Sequence, residues 1–174
     1  MTKIKGSCSN SFLRLMVTPD VYHAEILTCV PVRRPLDVPS ALPKLGKVLS
    51  HSGCVCKTTK GYVLIEYMSA NQVFVSKVYN FMNGMKEFDF KKYHFKLDIV
   101  EPQVPNTKVT VKEFTEKMIE FTKDKQFDTF SHNCHHARYD TMRFYGMQSD
   151  NPDAGKYNLF YQGFVDYFKK EYRI

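Results

Sequence analysis

The sequence predicts an α+β fold in which a small antiparallel sheet packs against helices. Three observations carry this. Stretches at 61–67, 73–79 and 92–99 are rich in β-branched and aromatic residues, the last with clear alternation, and 51–56 stands at hairpin distance before the first of them. Two places carry helix-opening chemistry, Thr110-Val111-Lys112-Glu113 and Asn133-Cys134. The chain has 174 residues, 43% of them hydrophobic, which suits one domain with a buried core and excludes a disordered chain.

Residues 1–10 are polar and expected to be loose. No apolar stretch there resembles a secretory leader, and no run in the chain reaches membrane-span length. The five cysteines show no framework spacing, which suits a reduced, cytoplasmic protein. A strand is expected near 21–30, with Tyr22, Ala24, Ile26 and Thr28 facing one way and His23, Glu25, Leu27 and Cys29 the other. Prolines then recur at Pro31, Pro35, Pro39 and Pro43, so 31–47 is expected to be a stiff surface loop.

His51–Cys56 and Gly61–Tyr67 read as a hairpin joined by the four residues Lys57-Thr58-Thr59-Lys60. That connection places Cys56 opposite Gly61, Cys54 opposite Val63, Ser52 opposite Ile65 and His51 opposite Glu66. Cross-strand partners share a face, so Glu66 can orient the His51 imidazole. Val73–Tyr79 is a further strand, and Asn83-Gly84 a turn. Over 92–99, Tyr93, Phe95, Leu97 and Ile99 share one face, leaving His94 toward solvent. The capping box at Thr110 opens a helix with Phe114, Met118 and Phe121 on its core stripe. A final helix at about 158–172 presents Phe160 or Tyr161, Phe164, Phe168 and Tyr172 as core or interface.

Between these lies the stretch that carries chemistry. Asn133 is a strong N-cap, with Ser131 as the alternative, and Gly146 suits the position past a helix end. Cys134 then sits in the first turn, where the helix dipole and unpaired N–H groups lower a thiol pKa. Ala137, Thr141 and Phe144 share its face and are expected against the sheet; His135, Arg138, Met142 and Arg143 are expected toward water. A cysteine nucleophile needs a base in hydrogen-bond reach and a third group to orient that base. His51 is the candidate base and Glu66 the orienting group; His23 is a second candidate base. Two other readings stay open at this stage, a buried structural cysteine and a metal site using His132, Cys134 and His136.

The net charge of +7 comes from scattered lysines, and no nucleic-acid motif accompanies it. A basic or aromatic surface of this kind can dock a partner protein or an acidic partner. A binding or structural module without chemistry is therefore the alternative to an enzyme.

The order of these parts resembles a family. His51-Ser52-Gly53, then Gly61-Tyr62-Val63-Leu64-Ile65-Glu66, then Phe127-Asp128-Thr129-Phe130-Ser131-His132-Asn133-Cys134-His135-His136 is similar to the histidine strand pair and Asn-Cys box of circularly permuted papain-like thiol hydrolases. That superfamily includes permuted NlpC-like enzymes, the lecithin–retinol acyltransferase-like group and PPPDE-type isopeptidases. The likeness covers roughly 48–146. It implies a permuted papain-like core over a single 1–174 domain, with Cys134 as nucleophile, His51 as base and Glu66 as the third polar residue. It also implies hydrolysis or acyl transfer at an amide, isopeptide or ester carbonyl of a protein, peptide or lipid, with no cofactor. The chain departs from the pattern at Ala137, where an aromatic is frequent, and at Glu66, where the acyltransferase group has histidine.

Overall fold

Five strands form one mixed sheet in a computed structural model that describes residues 12–35, 50–78, 101–126 and 132–149. The strands are β1 (Leu13–Met16), β2 (Ile26–Pro35), β3 (Ser50–Thr58), β4 (Gly61–Met68) and β5 (Gln72–Val78), in the spatial order β1-β5-β4-β3-β2. The described helices are α1 (Pro19–Tyr22), α2 (Val111–Thr122) and α3 (Cys134–Phe144). The protein is therefore α+β. The expectation of an antiparallel sheet holds for β2 through β5, but β1 lies parallel to β5, with Leu13 opposite Val73. A parallel neighbour requires a crossover, and here the chain passes through α1 and three strands before β5 returns beside β1.

The strand expected near 21–30 begins later and runs further. Thr18-Pro19-Asp20 opens α1 instead, with Pro19 in the first helical turn, where its missing N–H costs nothing. A register shift between Ile26 and Thr28 then breaks the two-residue period. Ile26 and Cys29 both enter the core as a result, and Leu27 turns outward. Beyond Cys29, the strand continues through Pro31 and Pro35, where a loop was expected. The Cys29 N–H donates to Gln103 O at 2.8 Å, and the Gln103 N–H donates back to Cys29 O at 2.8 Å. Cys29 thus directs its backbone groups away from β3. Two-residue periodicity gives Pro31 and Pro35 the same outward side, so neither removes a bond from the β2–β3 ladder.

The hairpin of β3 and β4 is tighter than expected. Thr58 pairs with Gly61, leaving only Thr59 and Lys60 in the connection. The Thr58 hydroxyl donates to Gly61 O at 2.8 Å and accepts from the Lys60 N–H at 3.0 Å, closing the turn with a side chain. Every pair consequently moves by two positions, and Gly53, not His51, lies opposite Glu66. A shift of two keeps every residue on its face. Cys54, Cys56, Val63, Ile65, Val73 and Val75 form the core side, against Phe114 and Met118 of α2 and Ala137 and Met142 of α3. Val30, Val32, Val55 and Leu64 cluster on the other face.

The capping box of α2 is present. The Thr110 hydroxyl accepts from the Glu113 N–H, and Glu113 Oε2 accepts from the Thr110 N–H at 2.8 Å. Phe114 and Met118 are fully buried, while Phe121 is half-buried. No described helix is long and apolar enough to cross a membrane. The expectations for residues 1–10, the remainder of the proline-rich stretch at 36–47, the strand at 92–99 with His94 and the helix at 158–172 lie outside the described residues.

Candidate active site

Helix α3 begins where its polar residues direct. Asn133 is extended, and its side-chain oxygen accepts from the N–H groups of His135 at 2.9 Å and His136 at 3.4 Å. His136 closes the box by taking the Asn133 N–H on Nδ1. Two donors that the first turn leaves unpaired are thereby satisfied, and Cys134 is fixed as the first helical residue. The helix ends as the sequence predicts. Gly146 has φ of 71°, and a Cβ there would meet the Asn106 side chain at 2.6 Å.

The sheet presents a gap to this helix tip. β3 stays paired with β2 as far as Ser50 opposite Pro35, but its pairing with β4 ends at Gly53 opposite Glu66. Cys29 turns its backbone away from β3, so its partner Cys56 directs its own toward β4, and by periodicity Ser52 does the same. At Ser52 the β4 partner is missing, and the Ser52 N–H donates instead to Cys134 Sγ at 3.3 Å.

His51 and Glu66 meet on the sheet face opposite Cys54 and Ile65. They are diagonal neighbours across the last pair of the β3–β4 ladder, and His51 Nε2 lies 3.0 Å from Glu66 Oε1. Gly53 makes this possible, since a Cβ there would stand 2.9 Å from Glu66 Cγ and 2.9 Å from Ile65 O. His51 and Cys134 are also near enough for each to act on the protonation of the other. With Nε2 engaged by Glu66, Nδ1 is the ring nitrogen left for the sulfur. Cys134, His51 and Glu66 are all buried, at 4%, 4% and 6% exposure, so their charges interact in a poorly screened site.

Burial is the largest influence on the Cys134 thiol and raises its pKa. The His51 charge and hydrogen bond, the Ser52 N–H and the Arg138 charge together outweigh it and bring the pKa below the ordinary 9.0. Burial likewise is the largest influence on His51 and pulls its pKa down. The neighbouring Cys134 and Glu66 overcome this and raise it to about 9. Opposite shifts in contacting groups favour a thiolate–imidazolium pair, which titrates as a unit.

The other candidates fall elsewhere. His23 stands exposed at the end of α1 with its ring edge-on to Tyr22; the imidazole in contact with the thiol is that of His51. His132 and His136 have ring centroids 6.4 Å apart, and His136 Nδ1 serves the cap. Among the described residues, no three His, Cys, Asp or Glu side chains are grouped to hold a metal ion. His132 and His136 instead line a pocket of about 230 Å³ with Tyr67, Phe121, Lys125 and Asp140, alongside Asn133 and Ala137.

The expected faces of α3 need correction. Ala137 and Thr141 are buried as expected, but Phe144 is 54% exposed. Phe144 instead meets Phe121 edge-on, with the Lys117 ammonium 4.3 Å from its ring centroid. His135, Arg138 and Met142, expected toward water, are buried. The buried residues of α3 therefore span a wider arc than one face. Arg138 Nη1 donates to Ser52 Oγ at 2.6 Å, and Ser52 Oγ donates to Val32 O at 3.0 Å. Sequence reasoning missed both Ser52 and Arg138 as site residues. The four-residue spacing from Cys134 to Arg138 was the available signal, since such residues share a helix face. No protein-family model matches the chain, and neither a curated protein nor a solved structure does so.

Proposed function

We propose that the protein is a cysteine-nucleophile hydrolase or acyltransferase that acts on an amide, isopeptide or ester bond through a covalent acyl-enzyme, on a permuted papain-like core. The observation that carries the reading is a contiguous thiol–imidazole–carboxylate array. Cys134 stands at a helix tip and is coupled in its titration to His51, and His51 is held by Glu66 at 3.0 Å. The chain order supports the core assignment: histidine and carboxylate come first, on adjoining strands, and cysteine later, on a helix packed against them.

In the reaction, the Cys134 thiolate attacks the substrate carbonyl carbon and forms a carbon–sulfur bond. The carbonyl oxygen gains negative charge, and the Cys134 N–H, which has no carbonyl partner within its own helix, is positioned to donate to it. Protonated His51 passes its proton to the leaving nitrogen or oxygen as that bond breaks. Water or an acceptor alcohol or amine then attacks the thioester, giving its proton to His51, and the thiolate departs. Glu66 keeps the imidazole oriented and stabilises its cationic form.

The test uses an activated acyl ester as probe and whole-protein mass spectrometry. The expected result is one acyl group on Cys134 in the parent chain and none at that position in Cys134→Ala, with both proteins folded by circular dichroism. Equal labelling of the two would remove Cys134 from the chemistry.

A further inference from the structure

We propose that Arg138 is a positioning residue of the thiol site: its guanidinium clamps the Ser52 end of β3 against Cys134 and is the permanent cation that accompanies the thiolate. This rests on the reading of Cys134 as a nucleophile.

Arg138 is wholly buried, a placement that charged side chains rarely take without compensation. It lies one helical turn after Cys134, on the same side of α3. The contacts close a ring. Arg138 Nη1 donates to Ser52 Oγ at 2.6 Å, the Ser52 N–H donates to Cys134 Sγ at 3.3 Å, and one turn of helix joins Cys134 to Arg138. Ser52 Oγ in turn donates a hydrogen bond to Val32 O at 3.0 Å, so the serine is held on both sides. Displacing the guanidinium would free the residue whose N–H points at the sulfur.

The charge matters separately from the clamp. His51 changes protonation during acyl transfer, whereas a guanidinium keeps its charge throughout the working pH range. Arg138 acts on Cys134 in the direction that favours the thiolate. Among the described residues, the titratable groups facing this pair include His51 from β3, Glu66 behind it on β4, and Cys29 from β2, which also feels the Arg138 charge. A buried charge of this kind makes the sulfur a better nucleophile at lower pH and a better leaving group when the thioester is resolved.

The test reads Cys134 directly on the full chain. Its modification by iodoacetamide is followed across pH by peptide mass spectrometry in the parent, Arg138→Lys and Arg138→Met. Circular dichroism establishes that each is folded. A parent profile that rises well below the ordinary thiol range upholds the nucleophile reading. Given that, Arg138→Met is expected to react about tenfold more slowly at about pH 6, the effect of one unit of displacement, and Arg138→Lys to recover most of the rate. Equal rates in the parent and Arg138→Met overturn the role of Arg138 and leave the nucleophile reading standing; an ordinary thiol profile in the parent overturns both. If the variants do not fold, the intact protein decides. The Arg138 guanidinium nitrogen resonance should shift over the pH range in which Cys134 ionises, and should lose that inflection in Cys134→Ser. A resonance that stays still through the parent titration overturns the inference.

Discussion

The Ser52 N–H reaches Cys134 Sγ at 3.3 Å across 82 positions of chain because β4 leaves β3 just before Ser52. A sheet bond that β4 no longer accepts is handed to a sulfur at a helix tip. The site is thus a consequence of where one ladder stops, and the residues that fix that point are as informative as the reacting groups.

Gly53 is the first of these. Gly53→Ala introduces a Cβ at 2.9 Å from both Glu66 Cγ and Ile65 O. One of these atoms is backbone, so the end of the β3–β4 ladder must shift, and the Glu66 side chain that meets His51 must shift with it. The expected outcome is a stability loss of about 1–3 kcal/mol in urea denaturation, as for other overpacking changes. Slower alkylation of Cys134 should accompany it. A variant with parental stability and parental thiol reactivity would contradict this account of Glu66.

Asn133→Ala removes the acceptor for the His135 and His136 N–H groups. Loss of an N-cap of this kind should cost about 1 kcal/mol by denaturant titration. Asn133→Ser, which retains a capping oxygen, should recover most of it. The two variants should differ in Cys134 reactivity in the same order, because the cap fixes where the first turn begins.

The pH dependence of stability follows from the opposed shifts. His51, raised from 6.5 to about 9, contributes stability that is complete below 6.5 and lost as pH rises toward 9. Cys134, lowered from 9.0, contributes stability that is present above 9.0 and lost as pH falls through its lowered value. Where the pH is above both 6.5 and the lowered thiol value and still below about 9, the folded pair holds one proton on the imidazole, and the unfolded chain holds one on the thiol. The two slopes therefore cancel, and the pair adds no pH dependence there. Cys134→Ala leaves the lowering effect of burial on His51 opposed by Glu66 alone, so His51 should titrate below its parental value and the two stability profiles should diverge between about 6.5 and 9. Urea denaturation of both proteins across pH measures this; parallel profiles would contradict the ion pair.

How much of this was legible in the sequence depends on how local the cause is. The Thr110–Glu113 and Asn133 caps involve side chains within three residues of the groups they bind, and both read directly. The proximity of His51 and Glu66 was also legible, although the hairpin register was wrong by two. Thr58 looked like turn composition, yet its hydroxyl closes a shorter connection. An error of two preserved the face, whereas an error of one would have separated the pair. The bulge at Leu27 and the tolerance of Pro31 and Pro35 within β2 required knowledge of what lies beside β2, which includes the Gln103 segment. Arg138 was the deepest miss. A charged residue on a helix reads as solvent-facing, and the Ser52 acceptor and the neighbouring sulfur help to make its burial tolerable. The parallel β1 carried no pattern in Leu13–Met16 that distinguishes its direction.

The central claim is that His51 activates Cys134, and the most direct measurement is the rate of Cys134 alkylation against pH in the parent and in His51→Gln. The parent should show its acid limb below the 9.0 of an ordinary thiol. In His51→Gln that limb should move upward, because the burial that raises the thiol is then opposed only by the Ser52 N–H and the Arg138 charge. Superimposable profiles in the two proteins, or a parent limb at the ordinary thiol value, would contradict the account.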